Sequence, residues 1–280
     1  MSIFKDYSTN NSKEAFLNWH FDDGNGRMDS DPVVQSCWDY KELGFAYLKG
    51  AVVVLSCLLD HDNYDNEADT MIFPVLFQMW HGIELLLKSG NMMCDMYLGQ
   101  PVSNYSKHKI DDYSDQFRSK MKRLGFNKLD SNQLKEMIEF VDDVKAKGAH
   151  FDFARYTNQS NGSKQFYNTP DSDGFVQNTI VDLHELARVL MSVTTNVKNT
   201  IDYLYDYMQS YGVTNKTEFT EKNFSDYCNC CINIFEDDEM EVDETSKKTV
   251  KELVDEYLKR KEQTGAKFEI SIGVPPKEKE

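Results

Sequence analysis

Apolar residues between positions 32 and 59 recur every three or four residues. Phe45, Leu48, Val52, Leu55 and Leu59 fall on one side, and Val53 and Val54 widen the face. That period belongs to an α-helix, and Asp31-Pro32 marks its start, with Asp as N-cap and Pro at the first position. Gly44 and Gly50 either weaken it by about 1 kcal/mol each relative to Ala or permit close helix contact. A second helix is expected from about Met71 to Lys88, with Pro74 tolerated in the first turn and Gly90 as the stop. A third lies near 108–124, stopped by Gly125. A fourth starts at Asp130 or Ser131, where Asp130 and Gln133 form a loose capping box, and ends at Gly148.

Residues 150–168 break the helical period. Phe151 and Phe153 alternate with polar neighbours, and Asn161-Gly162 sits between two aromatic runs, the pattern of a β-hairpin or extended arm. A long helix is expected from about Thr179 to Tyr211. Its apolar positions Leu183, Leu186, Leu190, Val193, Val197, Ile201, Leu204 and Met208 keep near-heptad spacing, either as the core seam of a bundle or as a dimer seam. Beyond Gly212 come a helix around 217–235, an acidic stretch, a charged amphipathic helix at 246–262, the strand-like FEISIGV and a charged tail. The fold class is therefore all-α, a bundle with helices at 35–59, 74–88, 110–123, 132–146 and 180–210 and a small β-hairpin. The chain divides into a polar N-terminal segment (1–31), the bundle (32–212) and a C-terminal helical appendage (213–280).

Composition narrows the function classes. Of 280 residues, 40% are hydrophobic and 12% aromatic, enough for one sizeable core. The longest uninterrupted apolar run, Ala51 to Leu55, is far short of the roughly 20 residues of a membrane span, and no basic stretch leads into an apolar one at the N-terminus. Six scattered cysteines do not make a disulfide framework, so a reducing cytoplasm is expected. Cys228, Cys230 and Cys231 lack a second ligand pair at zinc spacing, and Asp22-Asp23-Gly24-Asn25-Gly26 lacks the EF-hand pattern. No metal and no cofactor are expected. The net charge is −16, which disfavours broad gripping of phosphate backbones. Residues 236–244 alone hold seven acids and read as a solvated linker.

The second helix carries the most informative chemistry. MIFPVLFQMWHGIELLLK is apolar nearly all round, which marks a buried helix, yet His81, Glu84 and Lys88 share one arc at spacings of three and four. Buried ionisable groups must find partners. Glu84 and Lys88 stand in the favourable i,i+4 order. The stripe is either a satisfied internal network or the lining of a polar pocket. Trp80 beside it is expected to fill apolar space.

The segment Phe73 to Lys88, FPVLFQMWHGIELLLK, resembles a signature of the HEPN superfamily of helical proteins from prokaryotic toxin and defence systems. Two further blocks are similar, in the same order. Ser106 to Tyr113 (SKHKIDDY) looks like the start of that family's next helix. Phe153-Ala154-Arg155-Tyr156, with Gly162 in the following turn, looks like its hairpin. The resemblance spans about residues 33–211. It implies a helical bundle, homodimerisation and a setting in toxin–antitoxin, abortive-infection or other antiviral defence.

Many HEPN proteins are metal-independent ribonucleases whose signature is an arginine, then four to six residues, then a histidine. Such chemistry uses histidine for proton transfer and arginine to stabilise charge on the scissile phosphate. Here no arginine stands at that distance before His81, His108, His150 or His184, and Trp80 replaces the arginine usual before the helix histidine. The candidate cluster is instead His81, Glu84 and Lys88 from one helix, His108 from the start of the next, and Arg155 and Tyr156 from the hairpin, with Arg155 near Glu84. The expected role is recognition or assembly in a defence system, with a protein partner and RNA as a further ligand. The alternatives are a divergent metal-independent ribonuclease using His81, His108 and Arg155, and an inactive subunit restraining an enzymatic partner.

Overall fold

The computed structural model describes residues 31–60, 66–127, 134–146 and 180–211. They form five helices: α1 (Pro32–Asp60), α2 (Ala68–Tyr97), α3 (Ile110–Arg123), α4 (Lys135–Ala146) and α5 (Leu183–Tyr211). No strand occurs among the described residues, so the all-α expectation holds for them. The β-hairpin, the N-terminal segment and the appendage at 213–280 lie outside them, as do Arg155, Tyr156 and the Cys228 cluster.

The core is built around α2. Every residue from Gly82 through Asp95 is buried, because α1, α3 and α5 all pack on it. α1 runs antiparallel to α2: Cys37 lies beside Ser89, whose hydroxyl donates to the Cys37 carbonyl at 2.7 Å, while Gly50 faces Gln78. Between these points Gly44 and Gly82 let the two backbones approach closely, and a Cβ on either would meet the other's carbonyl oxygen at 2.9–3.1 Å. α5 contributes Leu186, Leu190, Val193, Val197, Ile201 and Leu204 to the same core. Its heptad-like face is thus an internal seam. α4 is pinned by Arg188 of α5, which bonds Glu136 of α4 and Glu185 of its own helix at 2.8 Å, and by Phe140, which meets Trp80 edge-on at 6.2 Å.

Several boundaries differ from those expected. α2 begins at Ala68, so Pro74 falls in its second turn, not its first. The hydrogen bond that proline cannot donate would have gone to the carbonyl of Thr70, an exposed residue in the first turn. Gly90 does not stop α2. Its missing Cβ makes room for Ile201 and Phe117, which would lie 2.6 and 2.7 Å from it. The helix ends seven residues after it. There Gly99 takes φ +63°, and the amides of Gln100 and Gly99 cap the Asp95 and Met96 carbonyls at 2.9 and 3.0 Å in a Schellman-type turn. α5 starts at Leu183 because Asp182 caps it, accepting from the amides of His184 and Glu185 at 3.0 Å. Asp31 and Gly125 act as expected. Val33 donates its amide to Asp31 at 2.8 Å, and Gly125 ends α3 at φ +103°.

By length and composition, α1 and α2 are each sufficient to cross a membrane. A count of uninterrupted apolar residues misses this, since Ser56 and Gly82 interrupt runs without adding charge. Buried helices of water-soluble cores meet the same criterion, and about half of the most apolar stretch of each helix is covered by the protein itself.

Candidate functional site

Four of the six expected site residues lie in the described part of the chain, and the fold brings them together. Glu84 is fully buried. Its Oε1 lies 2.6 Å from the Lys88 ammonium one turn along α2. His108 comes from the segment that connects α2 to α3, and its Nδ1 sits 3.1 and 3.3 Å from the two Glu84 oxygens. A carboxylate holding Nδ1 makes it the protonated nitrogen of a neutral ring, leaving Nε2 as the acceptor. The His108 side chain is 47% exposed, whereas those of Glu84 and Lys88 are 0% and 4% exposed. The cluster therefore has one wet edge, at His108.

His81, one turn before Glu84, lines the same edge. Its ring stacks on Phe77 at 5.6 Å, meets Tyr47 edge-on at 4.6 Å and lies 6.3 Å from the His108 ring. Beneath the carboxylate, the Lys88 ammonium sits 5.9 and 5.7 Å from the rings of Tyr40 and Tyr113, within cation–π range. Burial first, and the Glu84 charge second, push the Tyr113 phenol above its usual range. Its hydroxyl donates to the Lys107 carbonyl at 2.7 Å, next to His108. Glu84 thus takes Lys88 and His108 as partners, and its expected neighbour Arg155 lies outside the described residues.

A second buried network, not anticipated, positions His108. Asp95 receives the Lys120 ammonium on Oδ1 at 2.6 Å. Its Oδ2 accepts from the Tyr105 hydroxyl at 2.7 Å and from the Ser103 amide at 3.3 Å. Asn91 donates to the carbonyls of Leu87 and Tyr113, both at 2.8 Å. These bonds fasten the 98–109 connection and the start of α3 onto α2. The signal was present in the sequence: His81, Glu84, Lys88, Asn91 and Asp95 continue one stripe at spacings of three and four. A helix ending at Gly90 cuts that stripe short.

Lys41 of α1 forms a third polar cluster. It lies 2.9 Å from Asp202 of α5 and 4.0 Å from the centre of the Trp38 ring, and Lys198 also pairs with Asp202. This cluster ties α1 to α5.

Compared with known proteins, the chain matches no family model, no curated protein and no solved structure.

Proposed function

We propose that the chain is a HEPN-like component of a bacterial anti-phage defence or toxin-type system, acting through recognition or assembly as a cytoplasmic homodimer. The observation that supports this reading is Glu84, wholly buried and engaged by Lys88 and His108. A carboxylate held this way fixes the half-exposed His108 against α2, so that the wet edge keeps one shape for a partner. The net charge of −16 favours a protein partner over a phosphodiester backbone. Affinity capture of the full chain from phage-challenged cells should recover a defined protein partner, and the captured complex should survive nuclease treatment. Capture of RNA without any protein would overturn the reading.

A second reading, a divergent metal-independent ribonuclease, has one observation in its favour. Two imidazoles face one edge with ring centres 6.3 Å apart, and a carboxylate orients one of them. Paired histidines of this kind can divide general-acid and general-base work. RNA cleavage by the chelator-treated protein, lost in a His81→Ala/His108→Ala variant, would establish it in place of the first reading.

A further inference from the structure

We propose that His81, Glu84 and His108 form a three-ligand site for a divalent transition-metal ion, with zinc(II) the best match to the donor set. The inference rests on the geometry of the three side chains and goes beyond recognition or assembly. Two imidazoles and one carboxylate are the ligands that borderline cations prefer, and three protein ligands leave a fourth position for water. No spacing rule finds this set in the sequence, because two ligands come from α2 and the third from the connection after it.

The ligand atoms lie within 4.8 Å of one another. A tetrahedral zinc ion with bonds of about 2.0–2.1 Å places its ligands about 3.3 Å apart. The two Glu84 oxygens lie 3.1 and 3.3 Å from His108 Nδ1, already that edge length, so an ion that displaces the Nδ1 proton into solvent meets both ligands in place. His81 is one turn from Glu84 and shares its face of the helix. It closes the triangle by a ring movement of about 1.5 Å at most, the difference between 4.8 Å and the tetrahedral edge.

The surroundings suit a metal centre. Lys88 occupies Oε1 of Glu84 from the buried side and leaves Oε2 for the ion, the way an outer partner orients a ligating carboxylate. Phe77 and Tyr47 limit the plane of the His81 ring. His108 is half-exposed and provides the entry path. The other buried carboxylate of α2 makes an informative contrast. Asp95 has both oxygens engaged by Lys120, Tyr105 and the Ser103 amide, with no imidazole among these partners.

The test is a zinc(II) titration of the full chain, first stripped with a chelator, against a competing chromophoric chelator at neutral pH. The wild-type chain should take up one tight equivalent that the His81→Gln/His108→Gln double variant loses. Cobalt(II) at the same site should give visible bands of a nitrogen–oxygen environment without the charge-transfer absorption of thiolate ligands. In the wild-type chain, two histidine ring signals should shift together as zinc is added, a readout that needs no variant. Equal zinc uptake by both chains, a thiolate absorption band or unmoved histidine signals would each overturn the site.

Discussion

Gly82 faces Gly44 across the crossing of α1 and α2 so closely that a Cβ on Gly82 would lie 2.9 Å from the Gly44 carbonyl oxygen and 2.8 Å from Leu48 Cγ. A backbone oxygen cannot step aside as a side-chain tip can. In an exposed helix Gly→Ala adds about 1 kcal/mol of stability. Here overpacking opposes it, at a typical cost of about 1–3 kcal/mol. Gly82→Ala should therefore lower the urea midpoint, and a raised midpoint would show that the helices separate freely.

The Glu84–Lys88 pair should behave as a buried ion pair. Removing one partner strands the other, so Glu84→Ala should cost about 3–5 kcal/mol. A Glu84→Ala/Lys88→Met double variant should lose less than the sum of its two single variants, since neither charge is then left alone. Chemical denaturation of the four proteins in the cycle measures the coupling. Additive single effects would mean that water already reaches the pair.

Trp80 is buried on α2 and meets Phe140 of α4 edge-on. Trp80→Ala should destabilise by about 3–5 kcal/mol. The loss should appear as a lower Tm with unchanged far-ultraviolet circular dichroism at low temperature. A near-neutral melt would place this ring at a wet surface.

Alkaline pH should weaken the fold. Burial pushes the Cys37 thiol up from 9.0 to about 12, and it also raises Cys94 and the phenol of Tyr97. Each of these groups holds its proton more tightly when folded than when unfolded. Their contribution is complete below about pH 9 and is lost as the pH climbs from there toward 12. Stability measured by denaturant titration should fall over that window. Cys37→Ala should flatten the fall, by at most about 1.4 kcal/mol per pH unit for a single thiol. A profile identical to the wild type would remove Cys37 from the account.

The dimer has a direct measurement. Light scattering of the full chain at micromolar concentration should give twice the chain mass, and a monomer mass would remove the homodimer from the proposal. The interface should lie away from the α5 seam, which the bundle itself buries.

The helices were legible where period and punctuation agreed. Asp31-Pro32 at one end and Gly125 at the end of α3 did what their local chemistry dictates. Local pattern misleads where one residue type serves two purposes. Gly90 carries the same letter as a helix stop, but it fills a helix interior because Phe117 and Ile201 crowd its α-carbon. Neither neighbour can be inferred from local spacing. The candidate cluster was legible as far as His81, Glu84 and Lys88, since charges on an apolar helix must find partners. His108 entered the cluster through the family resemblance and not through local spacing, since its place beside Glu84 depends on Asp95 fastening a connection twelve residues long.

The hydroxyl of Tyr97 donates to the Leu204 carbonyl at 2.7 Å, across 107 positions of sequence. Synthesis at about 5–20 residues per second leaves roughly 5–20 s between the appearance of these two partners. Throughout that interval the face of α2 that α5 will cover, including Gly90 and Tyr97, stays open to solvent. A nascent chain halted before residue 183 should bind the dye ANS, as partly packed chains do. Release of the long fifth helix from the ribosome then acts as a clock. Until it runs out, this apolar face of α2 is available to chaperones and to other unfinished chains.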